Sequence, residues 1–122
     1  MCGAITFRTV GELRDVINCH CIRCRRFTGH HLAATAVDTA ELIIDDKQTN
    51  LTWYSPVPEA AYAFCRTCGS SLFWRSATRP ARTSICAGTL NLPTHLRTTQ
   101  AWWVSRASYY HARPDLAEFQ TE

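Results

Sequence analysis

Two clusters of cysteine residues carry the spacing of a metal-binding site. Residues 19–24 read CHCIRC, a C-x-C-x-x-C pattern, and residues 65–69 read CRTCG, a C-x-x-C knuckle followed by glycine. Two cysteines separated by two residues can point their sulfurs at one centre across a tight turn, and zinc prefers tetrahedral sites built from such pairs. Cysteines buried merely as small apolar residues would have no reason to recur at these intervals. The pattern therefore predicts metal binding by thiolates.

The cysteine count leaves two arrangements open. One arrangement pools four sulfurs from both clusters into a single closed site and leaves one sulfur spare. The other makes two sites, in which Cys19, Cys21 and Cys24 hold a metal with three sulfurs and keep an open fourth position, the mark of a catalytic zinc. Spacing alone does not choose between them. Cys86 lies within a strand-like run, so we expect it to be a core residue.

Length and composition indicate one folded domain spanning residues 1–122. The chain is 46% hydrophobic and 19% charged, which is typical of a globular protein. Its net charge of +3 is too small to argue for a nucleic-acid partner. Seven cysteines, an odd number, with no signal pattern and no long apolar run predict a reduced protein of the cytoplasm without a membrane span.

The elements that must position these cysteines are mostly strands. Short runs rich in β-branched and aromatic residues predict strands at 4–9, 14–18, 32–37, 42–44, 51–55, 61–64, 71–75, 83–87 and 101–104. Helical turns are expected only at 22–27 and 38–42, and the polar segment 45–50 reads as a turn between strands. We expect the large aromatic side chains to build the core, with a ligand-facing wall as the less favoured alternative. These aromatic residues are Trp53, Phe64, Phe73, Trp74, Trp102 and Trp103.

Several longer motifs resemble the glutathione-dependent formaldehyde-activating enzyme family, whose eukaryotic relative is centromere protein V. The specific ones are CHCIRCRRFTG at 19–29 and FCRTCGSSLFW at 64–74. AGTLN at 87–91, AWWVSRAS at 101–108 and PDLAEF at 114–119 add weaker support. The resemblance covers nearly the whole chain. It implies a small, mostly β domain of several coiled antiparallel sheets stapled by zinc.

The resemblance also implies how the sulfurs are divided between two zinc ions. Cys65 and Cys68 match the C-x-x-C of the family's structural zinc, and Cys2 matches the second cysteine of an N-terminal pair. The first cysteine of that pair would precede Met1, so this site is expected to need a fourth ligand, such as water or the amino group. By the same resemblance, Cys19, Cys21 and Cys24 hold the second, catalytic zinc.

The activity that the resemblance implies joins a glutathione-like thiol to a small aldehyde such as formaldehyde. The protein would thus be a zinc-dependent carbon–sulfur lyase with small-molecule partners. Three thiolates make the zinc centre net negative and weaken it as a Lewis acid, so thiol capture is favoured over carbonyl activation. The alternative functions are a non-catalytic zinc module that binds protein or nucleic acid, and a thiol redox sensor.

Charged and titratable residues crowd the first cluster. Arg23, Arg25 and Arg26 could receive the carboxylates of a glutathione-like ligand, and Arg25 and Arg26 are our candidates for that contact. His20 receives no role. We expect His30 and His31 to be ordinary polar positions at the start of a strand, with metal ligation or acid–base chemistry as the alternative.

Overall fold

Ten short strands and one helix make up the part of the chain that the structure, a computed structural model, describes: residues 1–102, 105–111 and 113–120. The strands are β1 (Thr6–Thr9), β2 (Val16–Cys19), β3 (Leu32–Asp38), β4 (Leu42–Asp45), β5 (Leu51–Val57), β6 (Ala60–Cys65), β7 (Ser71–Ser76), β8 (Arg82–Cys86), β9 (Thr98–Trp102) and β10 (Ala117–Phe119). The helix α1 spans Ile22–Thr28, and two 3₁₀ turns cover Thr39–Glu41 and Ala87–Thr89. The mostly β prediction is confirmed.

The strands form two sheets. β1 pairs with β4 in a two-stranded antiparallel sheet, and the other eight form one sheet in the order β10-β9-β2-β3-β8-β7-β6-β5. The expectation of purely antiparallel sheets is wrong at two pairings, because β9 runs parallel to both β2 and β10. Parallel strands cannot be joined by a tight hairpin, and β2 and β9 are separated in the chain by residues 20–97. Residue periodicity does not reveal such a pairing.

Helix α1 begins and ends at residues with specific capping roles. Cys21 is the N-cap, and its sulfur accepts a hydrogen bond from the backbone N–H of Cys24 at 3.4 Å. Gly29 follows the helix with φ of 80°, a left-handed conformation that glycine adopts without steric cost, and its N–H donates to the Arg25 carbonyl. The metal-ligand motif itself therefore starts the helix that carries the arginines.

The core is divided into three clusters of buried side chains. The largest is centred on Phe73, Ile85 and Val37, and the second surrounds Cys21 and Cys24. The third cluster is small and contains Ala101 and Leu116. Of the aromatic residues expected in the core, Phe73 is fully buried, whereas Trp53, Phe64, Trp74 and Trp102 are only half-buried. Trp103 lies outside the described residues.

All nine predicted strands overlap an observed strand, with shifted ends. The run predicted at 14–18 is observed at 16–19, and the run predicted at 101–104 is a strand at 98–102, while residues 103 and 104 lie outside the described part. The helical turn expected at 22–27 is helix α1. Strand β10, three exposed residues long, was not predicted because it is shorter than the four to eight residues over which alternation indicates a strand. No helix in the described residues has the length and apolarity needed to cross a bilayer.

Candidate metal centres

The sulfur atoms of Cys2, Cys65 and Cys68 meet in one group. They lie within 4.8 Å of one another, and the Cys2 and Cys65 sulfurs are 3.7 Å apart. Two sulfurs bound to one tetrahedral zinc at 2.3 Å are about 3.8 Å apart, so this separation suits a shared ion and excludes a disulfide at about 2.05 Å. Cys2 is exposed, Cys68 is half-buried and Cys65 is buried, so one side of the group faces solvent.

The turn that holds this group is closed by backbone hydrogen bonds. Gly69, with φ of 74°, donates its N–H to the Cys65 carbonyl at 2.7 Å and turns the chain back into β7. The N–H of Ser70 is the main cause that lowers the pKa of the Cys68 thiol to about 6. A thiol with so low a pKa is largely a thiolate at neutral pH, the form in which sulfur binds a metal.

A second turn, which contains Asn50, is hydrogen-bonded to the turn that carries Cys65 and Cys68. Asn50, only 5% exposed, accepts a hydrogen bond from the Thr67 hydroxyl at 2.7 Å and receives the Arg66 N–H on its carbonyl. Asp46 in turn fixes this segment by accepting the N–H groups of Asn50 and Leu51, each at 2.7 Å. The predicted turn at 45–50 therefore stabilises the turn that carries Cys65 and Cys68, in addition to linking β4 to β5.

Cys19, Cys21 and Cys24 form the second group of sulfurs. Their sulfur atoms also lie within 4.8 Å of one another. Cys19 comes from the end of β2, Cys21 from the N-cap of α1 and Cys24 from its first turn, so the junction between strand and helix brings them together. Cys21 and Cys24 are 5% and 4% exposed, which makes this group much less accessible than the first.

Three neighbouring thiols cannot all ionise in a buried place without a cation. Contact with the Cys19 and Cys21 thiols, followed by burial, raises the pKa of Cys24 far above its usual value. A divalent ion among the sulfurs would reverse this balance, because each thiolate would face a positive charge. The donor set of three soft sulfurs therefore suits a zinc ion.

The sulfurs thus form two separate groups rather than one pooled site. Within the described residues, the two cysteine triads are the groups of three or more potential ligands that could hold a metal. Cys86 belongs to neither triad. It lies half-buried against the second core cluster, and burial raises the pKa of its thiol to about 12. The assignment of each triad to a structural or a catalytic ion stays a prediction.

The arginines that follow Cys24 differ in their surroundings. Arg25 and Arg26 both lie in the last turn of α1. Arg26 is exposed, whereas Arg25 is half-buried, and its buried Nε has no hydrogen-bond partner among the described residues. A buried donor without an acceptor is costly, so Arg25 is better placed than Arg26 to receive an anionic group.

Two tryptophans neighbour the second triad, one in the core and one in the sheet. Trp74 packs against the cluster that contains Cys21 and Cys24, and Trp102 is the register partner of Cys19 across the parallel β2–β9 pair. The indole N–H groups of both tryptophans are buried and have no hydrogen-bond partner among the described residues. Whether these tryptophans form a wall that faces a ligand, the less favoured alternative from the sequence, stays a prediction.

Three histidines, His20, His30 and His31, pack against one another close to the second triad in the sequence. His20 is 2% exposed, and its ring centre lies 4.8 Å from that of His31 and 4.5 Å from that of Tyr110. His30 completes the cluster, with its Nδ1 3.3 Å from the Tyr109 hydroxyl oxygen. Burial, then the neighbouring imidazoles, lower the pKa of His20 and of His31 to about 4. The histidines lie outside the two triads and join β2, β3 and the segment 105–111.

Tyr62 is a residue at the second triad that the motifs did not indicate. Its hydroxyl oxygen lies 3.5 Å from the Cys24 sulfur, and its ring centre lies 4.6 Å from that of Phe27. It belongs to β6, far from residues 19–24 in the sequence. Spacing could not find it, because only the packing of β6 against α1 brings the two together.

The fold and the two sulfur groups define a class of small, cysteine-rich β domain with two places that could hold a metal. The chain belongs to the glutathione-dependent formaldehyde-activating enzyme family, whose profile matches residues 1–106. No curated protein matches the chain.

Among solved structures, the chain is similar to a protein from Rhodobacter sphaeroides known from a crystal structure. The two share 26% sequence identity and superpose with a TM-score of 0.62, over 77% of this chain and 86% of that one. The family resemblance read from the cysteine motifs is thereby confirmed.

Proposed function

We propose that this chain is a zinc-dependent carbon–sulfur lyase that acts on a glutathione-like thiol and a small aldehyde. The observation that carries the proposal is the meeting of the Cys19, Cys21 and Cys24 sulfurs within 4.8 Å of one another, beside a half-buried arginine. In the forward direction the thiol sulfur forms a bond to the aldehyde carbon. The carbonyl π bond breaks, and the thiol proton ends on the aldehyde oxygen. The reverse reaction releases both substrates.

Cys19, Cys21 and Cys24 would hold the zinc ion, which when bound would supply deprotonation of a thiol at neutral pH. The residues of the chain supply binding and orientation. Arg25 and Arg26 bind the carboxylates of the thiol, and the half-buried Trp74 and Trp102 screen the reacting atoms from water. Because three thiolates leave the centre net negative, thiol capture is the favoured role of the site over carbonyl activation.

The first triad serves a different purpose in this proposal. Cys2, Cys65 and Cys68 hold a structural zinc that ties the N-terminus to the turn between β6 and β7. The cofactors are thus one or two zinc ions per chain, with glutathione as a co-substrate. Residues 1–122 then form one domain of the family, and the seven free thiols suit the reducing cytoplasm.

The test is the rate at which free formaldehyde exchanges with its glutathione adduct. Exchange spectroscopy by NMR should show acceleration by the zinc-loaded protein and loss of nearly all of it in Cys24→Ser. Cys86→Ser removes a thiol outside both triads and should keep the wild-type rate. Wild-type protein that carries both zinc ions yet accelerates no pair of thiol and aldehyde would overturn the proposal and favour a binding module.

A further inference from the structure

Tyr62 lies outside the sulfur triads, and its hydroxyl contacts the sulfur of a proposed metal ligand. Its hydroxyl oxygen is 3.5 Å from the Cys24 sulfur, within hydrogen-bond reach of sulfur. The side chain is 2% exposed and packs on Phe27 from helix α1. On the sheet, Tyr62 lies between its register partners Tyr54 and Trp74. The ring is therefore held from both sides, and the hydroxyl is fixed next to the sulfur.

The direction of this hydrogen bond depends on which of the two groups carries a proton. A phenol has an ordinary pKa of about 10 and therefore carries its proton at neutral pH. A cysteine sulfur that binds a metal has lost its proton. The phenol O–H is then the group of the pair that can donate, and the sulfur accepts.

We propose that Tyr62 is a positioning residue whose hydroxyl donates a hydrogen bond to the Cys24 sulfur and withdraws negative charge from the three-sulfur site. This inference rests on the function proposed above. A hydrogen bond to a ligating group fixes its orientation and tunes the electron density that it gives to the metal. The effect matters here because three thiolates with one divalent ion leave a net negative charge in a buried place.

Cobalt substitution tests the proposal without a measurement of turnover. Co²⁺ bound by thiolates has a sulfur-to-metal charge-transfer absorption, whose energy falls when the sulfur loses a hydrogen bond. Tyr62→Phe removes only the hydroxyl and keeps the ring that packs on Phe27. We expect the charge-transfer band to move to longer wavelength and the zinc affinity, measured by chelator competition, to fall about tenfold.

Two further variants make the readout specific. Tyr54→Phe is the matched control, because Tyr54 is the cross-strand neighbour of Tyr62 and is 54% exposed. It should leave the band and the affinity unchanged. 3-Fluorotyrosine at position 62 keeps the ring and makes the hydroxyl a stronger donor, so it should move the band to shorter wavelength. This substitution keeps the test valid if Tyr62→Phe fails to fold.

The outcomes separate this inference from the proposed function. If wild-type protein shows a thiolate–cobalt band that depends on Cys24 but neither Tyr62 variant shifts it, Tyr62 is a packing residue and the inference is overturned alone. If Cys24→Ser leaves the cobalt spectrum of the wild type unchanged, no ion binds at the triad. The inference and the proposed function then fall together.

Discussion

At the scale of single residues, the difference in burial between Arg25 and Arg26 separates their expected roles. Arg25 carries a buried Nε without a hydrogen-bond partner in the described structure, while Arg26 is exposed to solvent. A charge-assisted hydrogen bond to a carboxylate is worth more where water is excluded. Arg25 should therefore contribute more to binding a thiol that carries carboxylates.

Arg25→Ala should raise the KM for glutathione about tenfold or more, as expected for the loss of a charged hydrogen bond of about 1.5–3 kcal/mol. The change in kcat should be small, since the arginine binds a part of the thiol that does not react. Steady-state kinetics at varied glutathione and fixed formaldehyde measure both constants. Arg26→Ala, the control, should raise KM much less. A thiol without carboxylates should be nearly insensitive to Arg25→Ala, and equal loss with both thiols would contradict the assignment.

Cysteine spacing predicted metal binding but left open whether the two clusters share one site, and the division into the two triads was implied by the family resemblance. Cys19, Cys21 and Cys24 are brought together by one strand end and one helix start. Tyr62 could not be predicted in the same way, because its contact with Cys24 spans 38 residues and depends on how two elements pack. Short sequence motifs therefore predict metal ligands better than they predict the side chains that pack around those ligands.

At the scale of elements, the turn between β4 and β5 depends on one carboxylate. Asp46 accepts the N–H groups of Asn50 and Leu51, in that order the main causes that lower its pKa below the ordinary value of 3.8. A carboxyl group with a lowered folded-state pKa stabilises the fold above its unfolded pKa. That contribution is lost as the pH falls through the folded value.

Asp46→Asn should therefore lower the urea midpoint of unfolding at pH 7, and the difference from the wild type should shrink below about pH 4. Unfolding curves followed by circular dichroism between pH 3 and pH 7 measure this. Asp45→Asn is the matched control, because Asp45 is exposed and its carboxylate forms a surface ion pair with Lys47 at 3.9 Å. A gap between Asp46→Asn and the wild type that persists unchanged at pH 3 would refute the role of the charge.

At the scale of the whole molecule, the two sulfur groups differ in their access to solvent. Cys2 is exposed and comes from the first residues of the chain, whereas Cys21 and Cys24 are buried in the second core cluster. A competing ligand reaches an ion most easily where a sulfur is already exposed. The two ions should therefore leave at different rates.

Zinc release to an excess of chelator should follow two phases, the faster one from the Cys2, Cys65 and Cys68 group. A colorimetric chelator records both amplitudes. Cys68→Ser should abolish the fast phase, and Cys24→Ser should abolish the slow one. Metal binding stabilises the state that binds it, so the melting temperature should fall in two steps as the phases complete. Loss of the fast phase in Cys24→Ser would reverse the assignment.

The order of strands was the part of the fold that sequence patterns could not supply. Residue patterns predicted strands at 14–18 and 101–104, and they missed the start of β9 at Thr98. Nothing in those patterns indicates that β9 lies beside β2 in parallel register. Long-range pairing is set by the packing of whole faces, which a window of a few residues does not contain.

The parallel pairing of β2 with β9 affects when the cysteine-rich junction is completed as the protein is made. Trp102 of β9 pairs beside Cys19 of β2, so this edge of β2 stays open until most of the polypeptide has left the ribosome. A ribosome adds about 5–20 residues each second. For several seconds, then, a nascent chain offers the thiols of Cys19, Cys21 and Cys24 to the surrounding medium, and an ion can enter before β9 pairs beside them.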